Sequence, residues 1–349
     1  MEKKAFGITK EGKEVFTYSI TNGKGISATI CDYGATIVGL FVPGADGKVY
    51  DVSLGYDNVT DYEEGGCFFG ATVGRNANRI ADAKVTIDGV EYELGANDNE
   101  NNLHSGANGT SGKVWEVKEY KENAITLSYL SKDLEQGFPG DADMEVTYTI
   151  TDENALDISY RCTSTKKTVM NMTNHCYFNL NGQDSGNVHS QLLQLYASAY
   201  TPVKSAKAIP TGEIAPVAGT PFDFTTAKPI GQDIAKEDVQ LGYGNGYDHN
   251  FVLDRKGDGL ELAAVVRAPE SGICMEVWTD CPGIQLYTGN FIEGVKGKGG
   301  VVYPKNGAFC LETQYFPNAA NEPNFDMPLL DAGEVYTSTS VYKFSVSNE

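Results

Sequence analysis

The feature that most restricts the fold is a period of two in hydrophobicity that recurs along nearly the whole chain. Met144, Val146, Tyr148 and Ile150 alternate with Glu145, Thr147 and Thr149. Ile26, Ala28 and Ile30, then Leu156, Ile158 and Tyr160, then Ile273, Met275 and Val277 repeat the pattern. Successive strand side chains point to opposite faces, so each segment reads as a strand with one buried face. Asp88-Gly89 lies between the short runs Val85–Ile87 and Val90–Tyr92, and both residue types tolerate the positive φ of a tight hairpin turn. Long amphipathic helices do not show in the pattern, nor does an alternation of strand and helix. The expectation is an all-β chain folded as a large antiparallel β-sandwich. The 39 Gly and 13 Pro are spread throughout and mark no linker, so residues 1–349 are expected to form a single domain.

Charge narrows the ligand class. Asp and Glu number 47 against 27 Lys and Arg, a formal net charge of −20. Such a surface repels phosphate backbones and anionic lipid, so no nucleic-acid or membrane partner is expected. With 41% hydrophobic residues there is ample material for a core, which excludes intrinsic disorder. No apolar run reaches the roughly 18–20 residues of a membrane helix. The N-terminal segment lacks a signal peptide's apolar core, so a cytoplasmic location is expected. The seven cysteines are scattered, with no Cys-x-x-Cys pair, and read as free thiols in a reducing compartment. The Asn-x-Thr sequences at Asn58, Asn108 and Asn171 are then chance matches.

Gly-rich stretches at Gly242–Gly246 and Gly294–Gly300 lack the strand-to-helix context of a nucleotide-binding loop and read as surface turns. Asp141–Glu145 has a calcium-like spacing for five residues only, and reads as a solvated turn entering a strand. Neither a cofactor nor a metal site is expected.

Chemistry concentrates in two segments. In Val169–Phe178, read as one strand, Met170, Met172, Cys176 and Phe178 fall on a core face and Asn171, Thr173, His175 and Tyr177 on the other. That second face suits a ligand groove or, equally, bulk solvent. In Phe309–Gln314, Cys310, Glu312 and Gln314 share a face. A carboxylate on an otherwise uncharged strand is costly to bury unless paired, and the alternative is a strand-end Glu in water. Gln285 and Tyr287 share a face of a third strand, an amide beside an aromatic.

Seven blocks occur in order: Gly74-Arg75-Asn76-Ala77-Asn78-Arg79-Ile80, Asn102-Leu103-His104-Ser105-Gly106, Gly137-Phe138-Pro139-Gly140, Thr173-Asn174-His175-Cys176-Tyr177-Phe178-Asn179-Leu180, Gly246-Tyr247-Asp248-His249-Asn250-Phe251, Pro282-Gly283-Ile284-Gln285 through Gly289-Asn290-Phe291, and Leu311-Glu312-Thr313-Gln314. Together they resemble the aldose 1-epimerases, the galactose mutarotases, from Gly34 to Phe344. Any one block is weak; seven in order are specific. The resemblance implies a galactose mutarotase-like supersandwich that holds a sugar in an open groove on one sheet. It implies His175 as general acid and Glu312 as general base, with Asn78, Arg79, His104, Asp248 and Gln285 contacting substrate. Departures are Ser105 where the family usually has Gly, Cys176 for a common Ser, Asn76 for a common Val, and Asn318 at a frequent Asp position. Ser105 bears on the loop that presents His104.

The implied reaction opens a hemiacetal ring and recloses it on the other face, interconverting the α and β anomers of aldohexoses such as galactose and glucose. The anomeric hydroxyl loses a proton while the ring oxygen gains one, work suited to a carboxylate and an imidazole. The two groups are expected to flank the sugar from different sides, and Glu312 and neighbouring acceptors are expected to keep His175 protonated in the working complex. A non-catalytic carbohydrate-binding sandwich and a hexose-6-phosphate 1-epimerase are the alternatives. A glycoside hydrolase, which normally uses two carboxylates, ranks lower. Preferred sugar and oligomeric state are not legible.

Overall fold

A computed structural model describes residues 1–346. The last three residues of the expected 1–349 domain lie outside that range. Three large antiparallel sheets, joined by four two-stranded ones, carry the described residues. The largest has nine strands, with Ala142–Ile150, Ala155–Ser164, Val335–Val346, Ile273–Thr279 and Glu261–Arg267 adjacent in that order at its centre. The alternation predicted for these segments holds: Met144, Val146, Tyr148 and Ile150 are fully buried while Asp143 is exposed. A five-stranded sheet is formed by residues from Glu2–Ile8 through Val49–Asp51. The third, also five-stranded, runs Ala215–Pro216, Ala199–Tyr200, Asp248–Val252, Gly283–Tyr287, Cys310–Gln314. Asp88 and Gly89, at φ 50° and 80°, make the expected turn between Lys84–Ile87 and Val90–Glu93. One buried apolar cluster draws on all three sheets, from Tyr18 to Phe344.

Helix is confined to short pieces. Val59–Gly65 is capped by Asn58, whose side chain accepts from the Asp61 N–H. Val239–Gly244 is capped by Asp238, which accepts from Gln240 and Leu241, and ends in Asn245 in the left-handed region. Gly242–Gly244 therefore closes a helix, which corrects the reading of that stretch as a surface turn.

Val169–Phe178 is not the single strand its alternation predicts. Thr168–Val169 pairs with Leu329–Leu330, and Thr173–Asn174 with Thr72–Val73. The segment is threaded through the interior, so neither face meets bulk solvent: Asn171, Thr173, His175 and Tyr177 are all buried. Backbone partners absorb much of the polarity. Asn171 Oδ1 accepts from the Tyr315 N–H at 3.0 Å, and Asn174 Nδ2 donates to the Gly70 carbonyl at 2.8 Å.

Candidate active site

The site is founded on one face of the third sheet. Antiparallel register sets Asp248 opposite Tyr287 and Tyr287 opposite Cys310; it sets Asn250 opposite Gln285 and Gln285 opposite Glu312. Directly opposed residues share a face, so Asp248, Asn250, Gln285, Tyr287, Cys310, Glu312 and Gln314 form one polar surface. The alternate residues Phe251, Ile284, Leu286 and Leu311 go to the core. Glu312 therefore sits mid-strand and only 2% exposed, and its reading as a strand-end Glu in water falls.

The Thr173–Asn174 strand delivers His175 above this face. Its backbone is fixed on both sides, the His175 N–H donating to Ala71 and its carbonyl accepting from Gly70. The ring sets Nε2 3.6 Å from Glu312 Oε1 and Nδ1 3.6 Å from Cys310 Sγ. At 3.6 Å acid and base candidates are adjacent without being hydrogen-bonded to each other. They do not face one another across a sugar, which corrects the expectation of opposed flanks. Adjacency fits the chemistry better, because O1 and O5 are bonded to the same carbon.

His104 and Asn78 meet from two neighbouring loops. The Asn78 N–H donates to His104 Nδ1 at 3.1 Å, so the neutral ring carries its proton on Nε2 and is a hydrogen-bond donor there. Ser105 Oγ accepts from the Asn76 N–H at 2.7 Å and donates to the Asn76 carbonyl at 3.2 Å, so Ser105 ties its loop to the Asn76–Arg79 segment. Arg79 Nε donates to Asp98 at 2.7 Å, both side chains being largely buried. Gln285 is held by its neighbours on the sheet face. Its Nε2 donates to Asp248 Oδ1 at 2.7 Å and its Oε1 accepts from Gln314 at 3.2 Å, so it orients Asp248 from beneath.

A cavity of about 380 Å³ is lined by Asn78, Arg79, His104, His175, Asp248 and Glu312, with apolar walls from Phe68, Tyr177, Tyr287, Phe291 and Ile292. Gln285 does not line it. The volume falls in the range of small-molecule sites. A cleft of about 730 Å³ beside the Val239–Gly244 helix is larger, yet among the described residues it lacks this convergence of buried polar groups. Phe68, Phe291 and Asp98 were not singled out from the sequence. Phe68 and Phe291 sit in irregular loops without alternation, and Asp98 in a polar run that reads only as a turn.

Electrostatics are governed by burial. Desolvation lowers the His175 imidazole to about 4 and, with the neighbouring Asp248 charge, pushes the Glu312 carboxyl well above its ordinary range, with Arg79 opposing. His104 is held well below its ordinary value by burial, aided by His175 and Arg79. Burial raises Asp248 as well, opposed by Arg79 and the Gln285 hydrogen bond. Burial thus disfavours the charged form of both His175 and Glu312 in the free site. Glu312 Oε2 has no hydrogen-bond partner, an open acceptor position at the floor of the cavity. Ligand-capable atoms of His104, His175 and Glu312 lie within 4.8 Å of one another. The lone pair of His104 is already used by Asn78, so this trio offers donors and acceptors to a polar ligand rather than three lone pairs to a cation.

A family model described as aldose 1-epimerase matches residues 17–343. The chain belongs to the aldose 1-epimerase family. It is similar to the galactose mutarotase of Sus scrofa, 43% identical over 319 residues and 91% of each chain. It is also similar to the aldose 1-epimerase of Escherichia coli (strain K12), 36% identical over 339 residues and 97% of each. Among solved structures, an aldose epimerase homologue from C. elegans superimposes with a TM-score of 0.88 at 32% identity, covering 95% of this chain and 99% of that one. Galactose 1-epimerase from Lactobacillus acidophilus NCFM gives 0.86 at 27%, covering 99% of both. An all-β sandwich is the architecture of this aldose 1-epimerase family member, and its relatives are isomerases.

Proposed function

We propose that this chain is a mutarotase, interconverting the α and β anomers of free aldohexoses such as galactose and glucose. The observation that carries the reading is the adjacency of His175 Nε2 and Glu312 Oε1 in a sugar-sized cavity, on a chain whose relatives are aldose 1-epimerases. Sugar hydroxyls entering the cavity supply the hydrogen bonds that Glu312 lacks, and hydrogen bonding to the charged form favours the carboxylate. The proton then resides on His175. Glu312 removes the O1 proton as His175 delivers one to O5, the C1–O5 bond breaks, and the aldehyde turns about C1–C2. Reclosure runs with the roles exchanged. A placed acid or base is typically worth about 10²–10⁴ in rate.

His104 presents a fixed Nε2–H donor to a sugar oxygen. Arg79 and Asn78 line the same wall as donors, and Asp248 accepts, steadied by Gln285. Among the described lining residues Arg79 is the sole guanidinium or ammonium, and Asp98 already engages it, which favours an unphosphorylated sugar over a hexose 6-phosphate. One buried cluster from Tyr18 to Phe344 supports a single domain. Seven unpaired cysteines support a cytoplasmic setting, and no helix of the described residues is long and apolar enough to cross a membrane. NMR exchange spectroscopy or polarimetry on fresh α-D-galactose tests the proposal. Accelerated anomer exchange that vanishes in His175→Ala is expected; sugar binding without faster exchange refutes it.

A further inference from the structure

His175 stands among aromatic rings that do more than line a sugar. Tyr177 lies nearly parallel to the imidazole, centroids 5.0 Å apart and planes at 20°. Phe68 does the same at 5.9 Å and 23°. His104 and Tyr287 approach edge-on, at 5.2 Å and 6.4 Å. The loop carrying Phe68 is tied to His175 itself, since the Gly70 N–H donates to the His175 carbonyl at 2.9 Å. Gly70 has φ 65°, and a Cβ there would collide with the Ile37 carbonyl oxygen, so the loop's path is fixed. Phe68 also rests on the His104 ring at 4.8 Å, joining the two histidines.

We infer that Phe68 and Tyr177 are positioning residues of the reaction: their rings hold the plane of the His175 imidazole, and their π faces stabilise the imidazolium while it carries the travelling proton. The inference rests on the mutarotase reading above. Its basis is the attraction between a cation and an aromatic face within about 6 Å, which strengthens when water is excluded. The charged and titratable groups around the ring are few. Glu312 and Cys310 face it from one strand and Tyr287 from the next. His104 and Cys67 come from the loops, with Asp248 and Arg79 across the cavity. Of these, ionised Glu312 favours the imidazolium at close range, and the aromatic faces supply what remains.

Phe68→Leu keeps apolar volume and removes one π face. Expected is a fall in kcat of about three- to thirty-fold, KM within about twofold, and a shift to lower pH of the kcat limb that reports imidazolium; Phe68→Tyr restores both. Unchanged kcat, a change confined to KM, or a lower kcat with an unshifted profile overturns the inference. Phe68→Met carries the same test should the leucine variant fail to fold. The unsubstituted chain and His175→Ala are measured alongside: no accelerated exchange by the unsubstituted chain overturns the mutarotase reading itself, exchange retained in His175→Ala removes His175 as the acid and the inference with it, and a dead His175→Ala beside an unaffected Phe68→Leu removes only the aromatic contribution.

Discussion

Glu312→Gln is expected to move activity and stability in opposite directions. The amide is isosteric and cannot take a proton from O1, so exchange should fall by about 10²–10⁴. The stability effect follows from proton linkage. Burial places the folded Glu312 pKa above its unfolded value, so the folded chain binds the proton more tightly. The associated stability is fully present below the ordinary carboxylate range and is lost as pH rises towards the folded value. The amide of the variant has no proton to lose, so its advantage should grow as pH rises above the ordinary carboxylate range. Leaving a buried acceptor unsatisfied costs about 1–3 kcal/mol, the condition of Oε2 once the carboxyl ionises. At about 2 °C per kcal/mol for a chain this long, Tm should rise by roughly 2–6 °C at the alkaline end. Acid-limb effects from His175, lowered to about 4, are common to both proteins and cancel in the difference. Scanning fluorimetry across the pH series, with NMR exchange on the same samples, reads both quantities. Activity within severalfold of the parent, or a variant less stable at every pH, would refute the reasoning.

Asp98→Asn converts the 2.7 Å ion pair with Arg79 into a neutral contact and frees the guanidinium to reorient; KM should rise about three- to tenfold with kcat nearly unchanged, and an unaltered KM in initial-rate assays would count against Asp98 as a positioning residue. Arg75→Met should be the most damaging to stability. The buried guanidinium donates at 2.7–3.0 Å to the carbonyls of Ser131, Lys132, Pro139 and Gly140 and to Ser131 Oγ, and a loss of about 3–5 kcal/mol in urea melts is expected. Ser105→Gly relieves a left-handed φ of 68° while losing both bonds to Asn76. Stability should change by less than about 1 kcal/mol, with a higher KM as the His104 and Asn78 loops loosen; unchanged initial-rate KM values would show that the tie is idle.

How far the sequence discloses this molecule depends on whether a residue's surroundings lie along the chain or across it. Met144–Ile150 and Ile273–Thr279 are legible because a strand's alternation is local, and the register of Gly283–Tyr287 against Cys310–Gln314 carries that alternation into a polar sheet face. The identities of His175 and Glu312 were accessible from the blocks they occupy; their protonation was not, since that depends on how completely unrelated segments bury them. The same distinction explains Val169–Phe178. Its polar alternation is real, but threading through the interior removes the solvent face that alternation ordinarily implies. Asn171 and Asn174 then serve backbone groups, and His175 is left in a pocket too dry to hold a standing charge. Arg75 and Arg79 make the point within one block. Arg75, wholly enclosed, spends its donors on five carbonyls and two hydroxyls and holds the Gly137–Gly140 turn. Arg79, four residues on, keeps its ion pair at the cavity wall. A motif states which residue types are present; burial divides them between scaffold and chemistry. The bias against charge on both His175 and Glu312 follows from that same division.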